Sequence, residues 1–126
     1  MPGYIYPTVA EAKAFHKQLT DEFSGTHDLL DEGRLEAAIL RPQTGYYGTL
    51  IEEAAALMES LANNHAFLDG NKRVSFAVVD TFLRLNGFYL EVDPSQAHEF
   101  ITQAISRGEF RFTLIRDWIS SCFKPL

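Results

Sequence analysis

The chain has 126 residues, 46% of them hydrophobic, which suits a single domain over residues 1–126 with one core. A formal net charge of −6 argues against general affinity for nucleic acid or anionic membranes, which a spread of Lys and Arg provides, while leaving room for a local cationic pocket. The one cysteine, Cys122, excludes an internal disulfide, and no apolar run reaches membrane-spanning length. The first residues lack a basic start followed by an apolar stretch, so a soluble cytoplasmic protein is expected.

Thr8 and Glu11 form a capping box, predicting a helix from Val9 to Glu22 with Val9, Ala12, Phe15, His16, Leu19 and Phe23 on one face. Ser24 and Gly25 end it, and residues 25–30 read as loop. A short helix is expected from Asp31 to Leu40, stopped by Pro42. Gln43 to Thr49 holds two glycines and two tyrosines, as an exposed loop or small hairpin does. From Leu50 to Asn63 the chain is rich in Ala, Leu, Glu and Met, which are strong helix formers.

The helix expected over Asn71 to Leu85 is apolar on two faces: Val74, Val78, Phe82 and Leu85 on one, Phe76, Val79 and Leu83 on the other. That pattern marks a buried, central helix. Asn86 and Gly87 end it, and Phe88 to Val92 is extended. Asp93, Pro94 and Gln96 open another helix, which runs to Arg107 before Gly108. Thr113 is placed to cap a last helix containing Leu114, Ile115, Trp118 and Ile119. The fold class that follows is all-α, a compact bundle of about six helices around a buried central one.

Chemistry concentrates in the loop before that central helix. Asn63 to Arg73 carries six Asn, Asp, Lys or Arg residues among eleven, a poor choice for packing. A helix start offers unpaired N–H groups and a positive dipole end, which attract phosphate. Gly70 permits positive φ or close approach of a ligand. Lys72 and Arg73 put two cations where the dipole disfavours them, unless a polyphosphate lies between. Asp69 beside a phosphate makes sense if magnesium bridges them. His65 supplies an imidazole, a side chain suited to taking a proton near neutral pH. A base, a metal ligand and an anion cradle within nine residues point to phosphoryl or nucleotidyl transfer onto a hydroxyl. Taken singly, each residue has a bland reading: a helix-end His, an Asp-Gly turn, a solvated pair of cations. Their combination carries the inference. A metal hydrolase is disfavoured, because His16, His27, His65 and His98 are scattered without metal-ligand spacing.

Residues 65–73, His-Ala-Phe-Leu-Asp-Gly-Asn-Lys-Arg, resemble the Fic/Doc signature His-x-Phe-x-(Asp/Glu)-Gly-Asn-(Gly/Lys)-Arg at every specified position. Gly33-Arg34-Leu35-Glu36-Ala37-Ala38, Arg41-Pro42-Gln43 and the segment from Phe82 to Phe88 resemble the death-on-curing (Doc) branch, and the likeness spans residues 25–92. This resemblance implies a Fic-type helical fold with the motif joining two central helices. It implies that His65 deprotonates a target hydroxyl and that Asp69 holds magnesium against the phosphates of ATP. Gly70 and Asn71 would form the anion nest, Lys72 and Arg73 would contact the nucleotide, and Phe67 would anchor the loop.

Adenylyl-transferring members continue Gly-Asn-Gly-Arg-x-x-Arg, whereas here Lys72 replaces the second glycine and Phe76 the second arginine. Doc-type toxins share both changes. By that resemblance the expected activity is transfer of the γ-phosphate of ATP to a threonine of elongation factor Tu, blocking translation. AMP transfer to a protein hydroxyl and a non-catalytic binding module of the same fold are the alternatives. The family's inhibitory helix carries (Ser/Thr)-x-x-x-Glu-(Gly/Asn), and the nearest match, Asp28 to Gly33, has Asp in the first place. Inhibition by a separate antitoxin acting in trans is therefore expected. Tyr46 and Tyr47 fall where the family has a target-docking flap, while Arg34 and Arg41 are open between the phosphate site and solvent.

Overall fold

The computed structural model describes residues 3–22, 29, 31–68 and 70–126. These described residues form six α-helices: α1 (Val9–Glu22), α2 (Glu32–Leu40), α3 (Leu50–Asn63), α4 (Asn71–Leu85), α5 (Pro94–Ser106) and α6 (Phe112–Cys122). A 3-10 turn (Arg41–Thr44) follows α2, and two short strands, β1 (Phe88–Leu90) and β2 (Phe123–Pro125), complete the chain. The class is all-α, as expected.

Local signals account for most helix ends. The Thr8 N–H donates to Glu11 Oε1 at 2.9 Å and the Glu11 N–H to Thr8 Oγ1 at 3.1 Å, the reciprocal pair that opens α1. Asp31 and Thr49 cap α2 and α3 by accepting from the Arg34 and Glu52 amides. Asp93 caps α5 through the Ser95 amide, a residue earlier than the Gln96 box predicted. Gly87 (φ 93°) and Gly108 (φ 70°) stand just beyond α4 and α5. Pro42 does not end the helical path at once, because the chain tightens into the 3-10 turn and leaves it at Gly45 (φ 82°). No hairpin forms between Gln43 and Thr49. The loop expected over 25–30 falls outside the described residues except for Leu29.

Two features depart from the expected pattern. Helix α6 starts at Phe112 rather than after Thr113, because the Phe112 N–H donates to Glu59 Oε2 on α3 at 2.8 Å. A carboxylate distant in sequence thus does the work assigned to a local cap. Strand β2 was not foreseen. It pairs antiparallel with β1 in the register Phe88↔Pro125, Tyr89↔Lys124 and Leu90↔Phe123, and the Phe88 and Phe123 rings stack at 4.5 Å.

The core gathers around α3 and α4. Helix α4 is central, touching α1, α3, α5 and β1. The most deeply buried helix is nevertheless α3, with ten of its fourteen residues buried against seven of fifteen in α4. Ala54, Ala55, Ala56, Leu57 and Met58 are all fully inaccessible, and the small alanines let neighbouring backbones come close. The outer side of α4, bearing Phe76, Ala77 and Thr81, is only half-buried and faces a cleft.

The segment before α1 is tied to this core by Tyr6, whose ring stacks on Phe82 at 5.3 Å and whose hydroxyl donates to Glu53 Oε1 at 2.6 Å. Burial, then the Glu53 carboxylate, push the Tyr6 phenol up to about 12 from 10.0. The folded state therefore holds this proton more tightly than the unfolded chain. Its contribution is complete below pH 10.0 and is lost as pH rises towards 12. Tyr6→Phe is expected to flatten that alkaline loss of stability, and to cost roughly 1–2 kcal/mol at neutral pH by leaving Glu53 short of a donor. Urea melts of both proteins at neutral and alkaline pH check this.

Candidate active site

The motif loop begins where α3 runs out. The Asn64 N–H still donates to Ser60 O at 2.9 Å, and the next residue, His65, turns the chain with φ 53°. A non-glycine residue in this left-handed region costs about 1–3 kcal/mol, although histidine tolerates it better than most. The imidazole of His65 is exposed, whereas Ala66 and Phe67 dive inward and are buried. The Phe67 ring lies on the His16 ring with centroids 3.8 Å apart and planes 10° from parallel. Its backbone pairs with Leu29 in an isolated antiparallel bridge.

Asn71, the first residue of α4, spends its buried side chain on the loop itself. Its Oδ1 accepts from the Phe67 N–H at 3.2 Å, and its Nδ2 donates to the Phe67 carbonyl at 2.9 Å. The carboxamide thus satisfies both backbone groups of a buried residue. Gly70 caps α4 with φ 84°, and among the described residues no side-chain cap bonds that helix start. A Cβ at position 70 would lie 3.3 Å from His16 Cδ2 and 3.4 Å from Thr20 Cγ2. Glycine is required there both for the backbone angle and for the close approach of α1.

The sequence-predicted residues divide between two clefts. Lys72 and Arg73 line one of about 420 Å³ with Phe15 and Leu19 of α1, Phe76 of α4 and His98 of α5. Burial first, then the charges of Arg73 and Lys72, lower the pKa of His98, and its buried Nδ1 has no hydrogen-bond partner among the described residues. The other cleft, wider and about 600 Å³, is lined by Asp31, Gly33, Arg34, Ala37, Asn63, Asn64 and His65. Gly70, Asn71 and Phe67 lie in the stretch of chain joining the two. Asp69, expected to hold magnesium, lies outside the described residues. Among the described residues no group of three or more His, Cys, Asp or Glu is placed to hold a metal ion, and no helix is long and apolar enough to cross a membrane.

The profile of the Fic/DOC family matches residues 6–83, well over half of the chain and including the whole loop just described. The chain belongs to the Fic/DOC family. It is also similar to Toxin Doc of Mycolicibacterium smegmatis, at 41% identity over 92 residues that cover 68% of this chain and 71% of that protein.

In this Fic/DOC chain the two arginines left open by sequence are both engaged. Arg34 donates to the Asn64 carbonyl at 3.3 Å, one residue before His65. Arg41 points elsewhere, donating to Glu59 Oε1 at 2.7 Å, Ser60 Oγ at 2.9 Å and the Tyr47 hydroxyl at 2.9 Å. Burial would lower the Arg41 pKa, but Glu59 and Tyr47 outweigh it and raise the value overall. Tyr47 also stacks on Phe112 at 5.5 Å, so it packs, whereas Tyr46 is 85% exposed. Sequence reasoning missed His16 and Thr20 as neighbours of the loop. His16 was read as part of the apolar face of α1, and nothing local marks Phe67 and Gly70 as what that face covers.

Proposed function

We propose that the chain is a Doc-like toxin that transfers the γ-phosphate of ATP to a threonine hydroxyl of a translation factor, elongation factor Tu, and so blocks protein synthesis in the cytoplasm. The observation that carries this reading is the start of α4. It is a helix N-terminus opened by a left-handed glycine, which has no side chain of its own to cap it, and followed at once by Lys72 and Arg73. It lies in the same loop as an exposed histidine. A helix start opened by glycine and bearing two cations fits the phosphates of a nucleotide. The likeness to Toxin Doc supports the toxin reading.

In the proposed reaction His65 takes the proton of the target hydroxyl as its oxygen attacks the γ-phosphorus. The bond from that phosphorus to the bridging oxygen breaks, and ADP leaves with the electron pair. The α4 amides, Lys72 and Arg73 hold the phosphates in line, which is most of what such a transfer requires of a protein. Magnesium, expected at Asp69, would neutralise phosphate charge when bound. Phe76 supports γ- over α-phosphate transfer, because it lines the Lys72–Arg73 cleft with an apolar ring where adenylyl-transferring relatives carry an arginine.

Restraint by a separate antitoxin is part of this reading. Asp31, Glu32 and Gly33 form the cap and first turn of α2, which does not suit them to serve as an inhibitory motif.

The decisive experiment incubates the purified chain and elongation factor Tu with ATP labelled on the α- or the γ-phosphate. Label from the γ position, absent with His65→Ala, is the expected result. Label from the α position would move the assignment to AMP transfer, and label from neither would send the search to other targets or to a binding-only role.

A further inference from the structure

His65 holds its left-handed turn with help from the start of α2. The carbonyl before it, of Asn64, accepts from Arg34 Nη1 at 3.3 Å. The carbonyl after it, of Ala66, accepts from the Asp31 N–H at 3.1 Å. Arg34 is itself tied to Asp31 twice: its backbone N–H donates to Asp31 Oδ1 at 3.1 Å, and its Nε lies 3.4 Å from Asp31 Oδ2. Gly33 leaves room for the capping carboxylate, since a Cβ there would sit 3.2 Å from Asp31 Oδ1. Asp31, Gly33, Arg34 and Asn64 line the same cleft as His65, whose side chain is exposed.

We propose that Arg34 is a positioning residue for His65: with the Asp31 amide it grips the two carbonyls that flank His65, and so keeps the imidazole directed into the cleft. The inference rests on His65 being the base of the proposed transfer. A strained backbone persists only where its surroundings over-determine it, and these two hydrogen bonds are the surroundings on either side of the strained residue. Arginine suits the task because its guanidinium stays charged and reaches the carbonyl and the carboxylate together. Arg34 does not touch the reacting atoms in this account, so its loss acts on geometry rather than on nucleotide binding.

The test compares the unmodified chain with Arg34→Ala and Arg34→Lys. Amide nitrogen relaxation should show millisecond exchange at His65 and Ala66 in Arg34→Ala, with Phe67 and Asn71 unchanged. In the γ-phosphate assay kcat should fall roughly tenfold or more, since small displacements of a reacting group carry such penalties. The KM values for ATP and for the protein acceptor should hold. Arg34→Lys, which keeps a donor within reach of Asn64, should recover most of both signals.

Unchanged amide signals at 65 and 66 would overturn the proposal, as would a loss carried by the KM of the acceptor, which would make Arg34 a docking residue. If the unmodified chain labels nothing, the proposed transfer fails on its own, and the amide measurement alone decides whether Arg34 holds His65. Circular dichroism of each variant keeps a failure to fold from being read as either result, and Arg34→Gln replaces Arg34→Ala if the latter does not fold.

Discussion

Asn71→Ala is expected to destabilise the protein by roughly 2–4 kcal/mol, because it removes the two carboxamide hydrogen bonds to the buried Phe67 backbone. The cost is that of two hydrogen bonds lost inside the core, since Phe67 is only 3% exposed and water has no easy route to replace them. For a chain of this length the loss corresponds to a fall in Tm of about 8–15 °C. Transfer activity should fall with it even well below the new Tm, because the same carboxamide sets the distance between the loop and the first turn of α4. A melting curve and a γ-phosphate assay at low temperature separate the two effects. A variant as stable as the parent would mean that Phe67 is held by its ring alone.

His65→Gly is expected to do the opposite to stability. Glycine relieves the left-handed strain at φ 53°, while its freedom in the unfolded chain returns part of the gain, leaving about 0.5–1 kcal/mol in favour of the variant. The Tm should rise by about 2–4 °C. Transfer should drop by a factor of about a hundred to ten thousand, the range expected when a general base is removed. His65→Ala keeps the strain and should lose activity without the rise. A more stable and inactive His65→Gly variant would show that the loop holds an unfavourable conformation for the sake of its imidazole. A variant with full activity would remove His65 from the reaction.

The parts of the fold legible in the sequence were those written in neighbouring residues. Helix α1 runs over the very residues its capping box predicts, because Thr8 and Glu11 bond to each other and need nothing else. Helices α3 and α4 likewise fall where composition and periodicity put them. The misplaced start of α6 and the unforeseen β2 share a cause: their partners, Glu59 and β1, are far away along the chain. The motif was readable as chemistry because its residue types are poor packers, and it is the part of the chain the family profile also matches.

Sequence could not show what holds that motif. Asn71 is expected in an anion nest through its backbone N–H, and its side chain has a separate task that no local pattern shows, holding Phe67. His16 was one more position on an apolar stripe, yet its ring is the surface on which Phe67 lies. Arg34 was undecided because the Asn64 carbonyl it reaches is thirty residues on. Each of these contacts joins elements whose mutual placement no local pattern encodes.

The lone tryptophan offers a practical handle. Trp118 lies on α6 and stacks on Phe100 of α5, with ring centroids 4.5 Å apart and planes 7° from parallel. It lines neither of the two clefts described above. Its emission therefore reports the docking of α5 on α6, an optical record of whether the bundle is assembled, and carries little signal from a nucleotide at the start of α4. A variant that keeps the parent's emission spectrum and loses transfer has been damaged at the site and not in the scaffold.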